Sequence, residues 1–277
     1  MKAVAVGLVA GLLLTACGRG VVVDAVPQAT PYEGPLSVEV TAAPEDEDAD
    51  RSGAAGRVVD CDGPPVGDSV HPPYEDTVSR SPAAALKREL RAPNRGATSG
   101  LHEARREADR VLYTFVVDGR VRQAVIVHRG PAVGGDVGWH AESWARCDWA
   151  ELPPALAEAQ GLAVWTDPSG RRLPTSQVSS SRGPEHCGWQ DMVFLSLNGG
   201  DLNDGESYVE HPDPELYPDY FAVPYAAAGV LPAKTRDTRY ERDGRHVWLA
   251  PDHSRAYVGT PSSVAVWPRV IQPLGCA

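Results

Sequence analysis

The sequence predicts an α+β, β-rich protein: antiparallel sheets, one or two short helices in a first lobe, a β-meander in a second, and two disulfides. Three observations carry this expectation. Asp118-Gly119 and Asp243-Gly244 each sit between two short apolar runs, and such dipeptides mark hairpins because glycine accepts positive φ and the primed turn matches strand twist. Ser81-Pro82 has the chemistry of a helix start, a hydroxyl N-cap followed by proline in the first turn. Cys61, Cys147, Cys187 and Cys276 form an even set without metal-ligand spacing.

The chain opens on an address. Lys2 precedes an apolar run at 3–14 that closes on Leu14-Thr15-Ala16-Cys17. A short apolar helix engages the translocation machinery, and small residues at 15 and 16 let a peptidase reach the bond before the cysteine. Residues 1–16 are therefore expected to be a lipoprotein signal peptide, and Cys17 the lipid-bearing residue of the mature chain. About twelve apolar residues are too few to span a ~30 Å hydrocarbon core. Residues 17–56 follow as an expected flexible tether, interrupted by Pro27, Pro31, Pro35 and Pro44 and ending in an acidic run at 45–50. Apolar residues are too sparse there to offset ordering entropy. A flexible segment of this length would reach roughly 35 Å. Residues 36–40 could instead add an edge strand.

The formal net charge is −11, which gives no electrostatic reason to bind nucleic acid or an anionic lipid surface. The lysines are Lys2, Lys87 and Lys234 alone, so arginine supplies nearly all the positive charge. This composition, with the lipobox, resembles the uncharacterised lipoproteins of actinobacteria. The resemblance implies a place, lipid-anchored on the extracytoplasmic face of the cell membrane, and no activity.

The first lobe is placed at 57–155. Cys61-Asp62-Gly63-Pro64-Pro65 is turn chemistry. A helix follows from Pro82 to about Leu90, stopped by Pro93-Asn94-Arg95-Gly96, and residues 101–110 form a second amphipathic piece with a charged, wet face. Strands at 111–117 and 121–128 flank Asp118-Gly119. In the next strand, 137–147, strict alternation puts Trp139, Ala141, Ser143, Ala145 and Cys147 on one face and His140, Glu142, Trp144 and Arg146 on the other. The first set would pack inward. The second, an aromatic ring among ionic groups, is the possible binding surface; a covering second layer is the alternative.

The second lobe is placed at 156–277. Residues 153–161 are a connector or short helix, 162–166 a strand, 167–185 an exposed loop, 192–197 a buried strand and 198–206 a loop. Five prolines make 210–233 a long irregular excursion. Strands at 238–242, 245–250, 255–259 and 264–267 then form a four-stranded meander. Outside the membrane the four later cysteines are expected to be oxidised. The pairing Cys61–Cys147 with Cys187–Cys276 closes one block each, every loop worth about 4–5 kcal/mol on the chain-entropy model; the nested pairing Cys61–Cys276 with Cys147–Cys187 is its rival.

Catalytic signatures are sparse. No HExxH occurs, no two histidines share a helical turn as ligands, and no GxSxG elbow is present. In residues 201–212 the calcium-loop register fails, because Gly205 and Pro212 stand where ligands are required. His186 beside Cys187 reads as a bridged cysteine and not a thiolate site. No cofactor, metal or catalytic residue is assigned. The function expected is a non-enzymatic envelope module, anchored through Cys17, that binds an envelope protein or small ligand. The alternatives are a cell-surface hydrolase assembled from distant residues, with the long excursion as its wall, and a purely structural accessory lipoprotein.

Overall fold

A computed structural model describes residues 29–38, 51–70, 78–198, 206–210 and 219–272. Cys17, Cys276, the expected signal peptide at 1–16 and the acidic run at 45–50 lie outside the described residues. The architecture is β-rich, with three antiparallel sheets and few short helices.

The first sheet contains β1 (Val66–Ser69), β2 (His102–Arg106), β3 (Arg110–Val117), β4 (Arg120–Pro131) and β5 (Val137–Arg146), in the order β1-β5-β4-β3-β2. Asp118 and Gly119 have φ of 51° and 76°, the primed turn that their sequence demands. β4 is buried without a break from Val121 to Val127, which requires cover on both faces. One face is covered by α2 (Pro82–Glu89) and Leu90, whose apolar side packs on Val111, Tyr113, Val125, Val127 and Trp144. Ser81 Oγ accepts from Ala84 N–H at 3.3 Å and Pro82 occupies the first turn, so the helix starts where its sequence says.

The other face corrects the tether. Leu36, Ala54, Ala55 and Val58 bury against Leu112, Ala124, Ile126 and Ala145. The short helix α1 (Gly53–Gly56) belongs to this layer. Arg105 clips the segment down by donating to Gly34 O at 2.7 Å. A few small apolar residues suffice here because the sheet supplies a preformed apolar surface, which a composition count cannot see. Residues 36–38 do not join a strand.

The piece at 101–110 is also corrected: it contains the edge strand β2, not a helix. His102 opposes Thr114 and Arg106 opposes Val111. β3 needs a partner along its free edge, and a charged strand with mostly exposed side chains terminates the sheet without inviting further pairing.

The short helix α3 (Pro154–Ala159) leads into the remaining sheets: β6 (Leu162–Val164), β7 (Val178–Arg182), β8 (Val193–Leu197) and β9 (Glu206–Glu210) in one, with β10 (Ala226–Gly229), β11 (Arg236–Arg242), β12 (Arg245–Leu249), β13 (Arg255–Thr260) and β14 (Ser263–Pro268) in the other, ordered β10-β14-β13-β12-β11. β11 to β14 are the expected meander. The two sheets meet at both corners. Thr166 and Glu241 exchange backbone hydrogen bonds of 2.9 and 2.8 Å, and Val270 N–H donates to Ser207 O at 2.8 Å. β6–β9 and β11–β14 thereby close around a filled interior of Trp165, Tyr208, Trp267, Leu195 and Val247.

This closure explains two further differences from the sequence reading. The expected loop at 167–185 contains β7, because small Ser180 fits against Trp165, whose Nε1–H donates to its Oγ at 3.1 Å. The expected loop at 198–206 and irregular excursion at 210–233 flank β9, and the excursion contains β10. β9 buries Ser207, Tyr208 and Val209 beside β8, a long-range pairing that proline-rich flanks conceal. The joint between the sheet systems is polar and apolar together. Arg172 donates to Leu152 O and Trp149 O, Thr175 Oγ1 donates to Asp148 at 2.6 Å, and Trp149, Leu152 and Ala157 pack with Phe115 and Leu162.

Cys61 and Cys147 are bridged, with a Cα–Cα distance of 5.2 Å. Cys187 is also disulfide-bonded; the partner expected for it, Cys276, lies outside the described residues.

Candidate functional site

The four residues expected on one exposed face of 137–147 are not a surface. Ile126 opposes Ser143 while Val127 opposes Ala141, so Glu142 is an extra residue without an opposite number. Such a bulge exchanges the two faces on either side of it. Trp139 therefore joins Trp144 under α2. His140 instead stands opposite His128, their rings edge-on at 5.4 Å. His140, Trp144 and Arg146 are 2 %, 7 % and 5 % exposed. Glu142 accepts from Arg110 at 2.8 and 3.1 Å. Burial, aided by the charges of His128, Arg88 and Arg110, pushes the His140 pKa down to about 4, so the ring is neutral at pH 7.

Trp144 and Arg146 act from below a different site. Past α2, the loop at 90–98 is fastened to the sheet at three points. Arg146 Nε donates to Asn94 O at 2.8 Å, Ala97 N–H donates to Gln123 Oε1 at 2.6 Å, and Gln123 Nε2 returns a bond to Ala97 O at 3.2 Å. Gly96 has φ +94° at the closest approach, where a Cβ would stand 2.5 Å from Gln123 Oε1 and 3.2 Å from Arg146 Cδ. Only glycine satisfies both the turn and the spacing.

Arg95 leaves this loop with its guanidinium carbon 4.2 Å from the centre of the Trp144 ring. Its Nε donates to Glu89 Oε1 at 2.5 Å. A face on tryptophan and one edge on a carboxylate fix the plane, and Nη1 and Nη2 make no hydrogen bond among the described residues. Beneath it, Arg146 lies 4.2 Å over the Trp149 ring and, among the described residues, bonds only carbonyls, those of Asn94 and Cys147. Burial pushes its pKa down to about 10, against the pull of Asp148, and it remains a cation at neutral pH.

Above these groups opens a cavity of about 350 Å³ lined by Lys87, Arg91, Arg95, Gly96, Thr98 and Gln160, together with apolar atoms of 90–93. Among the described residues three cations line it and no carboxylate does. Residues 80–95 hold Arg80, Lys87, Arg88, Arg91 and Arg95 against Glu89 alone, in a chain of net charge −11. Lys87 and Arg88 also complement the negative end of the α2 dipole. Arg91 and Arg95 lie beyond the helix and have no such duty.

No family model, characterised protein or solved structure matches this chain. Function here rests on the geometry of the site itself.

In two other concavities the arginines are committed. A cavity of about 360 Å³ between residues 29–33 and β2–β4 includes Arg105, which is spent on Gly34 O and Glu107. One of about 250 Å³ near α3 holds Arg172, spent on two carbonyls, and Arg242 with Asp243 at 3.4 Å. Carboxylate–imidazole contacts occur at Asp109–His128, Glu241–His246 and Glu206–His253. Cys61, Cys147 and Glu151 cluster as potential metal donors, but both sulfurs are consumed by the bridge. The sequence reading passed over Lys87, Arg91 and Arg95 as helix formers and loop residues; the signal that marks them is a run of cations in an acidic chain.

Proposed function

We propose that this chain is a lipid-anchored extracytoplasmic module, held through Cys17, that binds an anionic partner or ligand in the cavity of Lys87, Arg91 and Arg95. The observation that carries the binding reading is the commitment of Arg95: stacked on Trp144 and oriented by Glu89, it leaves a rigid donor edge at a cavity that no carboxylate lines among the described residues. Such pre-organisation lowers the ordering cost of binding. The bridged cysteines support an oxidising compartment.

Hydrogen exchange on the full chain, with and without a soluble extract of the cell envelope, tests the binding reading. Protection at 87–98 and 160, lost in Arg91→Ala, is the expected outcome; protection confined to other segments, or none anywhere, refutes it. Fractionation tests the anchor. Cys17→Ala should move the protein from the membrane to the soluble fraction, and an unchanged distribution refutes lipidation at that residue.

The hydrolase reading has one observation in its favour. Glu206 Oε1 bonds His253 Nδ1 and leaves Nε2 turned away from the carboxylate, as in an imidazole held ready to act as a base. The only side-chain partner of His253 among the described residues is that carboxylate, so the binding reading has the better geometric support.

A further inference from the structure

We infer that the cavity beside α2 binds a small phosphomonoester, with the Nη1–Nη2 edge of Arg95 gripping two oxygens of one phosphate. This deepens the binding-module reading and rests on it. Arg95 supplies shape, since a guanidinium edge matches two oxygens of a tetrahedral or planar oxyanion in parallel. Lys87 and Arg91 supply charge. Both are exposed, and neither side chain makes a hydrogen bond or ion pair among the described residues. Arg146 adds a buried positive charge beneath the loop, satisfied by carbonyls and not neutralised by a bonded carboxylate.

Charge balance chooses phosphate over carboxylate. Of the three lining cations Arg95 is already paired with Glu89, which leaves a net of about two positive charges; a carboxylate ligand brings one negative charge, whereas a phosphomonoester brings nearly two at neutral pH, with three oxygens to share among the donors. The cavity of about 350 Å³ lies at the small end of the ligand-site range, roughly 300–1,000 Å³, which suits a body the size of a sugar phosphate. Thr98 and Gln160 line the same space, and a hydroxyl and an amide are side chains suited to the hydroxyls of such a body. The fastening of 94–97 by Gln123 and Arg146 keeps the donor edge in place before the ligand arrives.

The test is calorimetric titration of the full chain in detergent with glucose 1-phosphate, glucose and glucuronate. Saturable binding of glucose 1-phosphate is expected, weakened by salt, with glucose silent and glucuronate weaker by about tenfold, as for loss of one charge-assisted contact. Arg95→Ala should weaken glucose 1-phosphate binding by about tenfold or more, and Arg95→Lys should not restore it, because lysine lacks the fork. As Arg95 also covers Trp144, Lys87→Ala and Arg91→Ala are measured beside it; each should cost several-fold with an unchanged near-UV circular dichroism spectrum. No saturation by glucose 1-phosphate, equal binding of glucuronate, or full affinity in the Arg91→Ala and Arg95→Ala proteins overturns the assignment. Envelope-extract protection of 87–98 alongside indifference to glucose 1-phosphate removes the phosphate assignment alone and leaves the binding module standing. Failure of both experiments removes both.

Discussion

Removing the bridge between Cys61 and Cys147 should cost this protein a large part of its stability. The bridge closes a loop with a sequence separation of 86, and for a loop of that size the chain-entropy model gives about 4–5 kcal/mol at 25 °C. Domains of this kind have about 5–15 kcal/mol in total. The substitution should be Cys61→Ala with Cys147→Ala, because Cys147 is fully buried and a serine hydroxyl there would add an unsatisfied polar group. The bridge also anchors the chain before β1. Asp60 N–H donates to Val121 O at 2.8 Å, Asp62 N–H to Glu151 at 2.9 Å, and Arg120 pairs with both aspartates. Urea unfolding of the double variant, with the Cys187 bridge intact, should show a loss near the model value and a larger m-value, since the freed unfolded chain exposes more surface. A loss below about 1 kcal/mol with an unchanged m-value would refute the reasoning, because the bridge would then not be what restrains the unfolded chain.

Acid should unfold the protein through His140. Its pKa falls from 6.5 to about 4 on folding, so the unfolded chain binds the proton first; stability is full above about pH 6.5, declines as the pH falls to about 4, and loses about 3 kcal/mol on the way. His140→Gln should flatten that decline in urea titrations across pH 4–7, and an equally steep curve would rule His140 out as its source. Gly96→Ala should destabilise by about 1–3 kcal/mol, from the positive φ and the 2.5 Å approach to Gln123 Oε1; a melting temperature equal to the parent's would show that the loop is not clamped there.

Local signals in the sequence were legible wherever neighbours along the chain settle the structure. Asp118-Gly119 and Asp243-Gly244 form primed turns, Ser81-Pro82 starts α2, and the meander from β11 to β14 follows its apolar runs. The order of the blocks favoured Cys61 with Cys147 over the nested pairing, and that is the bridge the fold contains. Residues 101–110 were misread because alternating and helical patterns are both weak in a run of charges, and only the free edge of β3 decides between them. β9 was hidden because its identity depends on Leu195 and Phe194 across the ladder, not on its own flanks.

The candidate site shows the same division. Composition alone put an unusual number of cations at 80–95, and alternation alone put Trp144 beside Arg146. One inserted residue, Glu142, then split the four residues of the expected surface: it sent His140 to the opposite side of the sheet and left Trp144 and Arg146 under a loop. A strand's period of two is a local property, but a bulge is set by the partner strand, so no reading of 137–147 by itself could locate it. The sequence by itself determined the turns, the helix start and the cation-rich stretch. The tertiary structure decided which of those cations are stacked, oriented and turned toward open space, because that depends on contacts between residues far apart in the chain, among them Arg95 with Trp144 and Gln123 with Ala97.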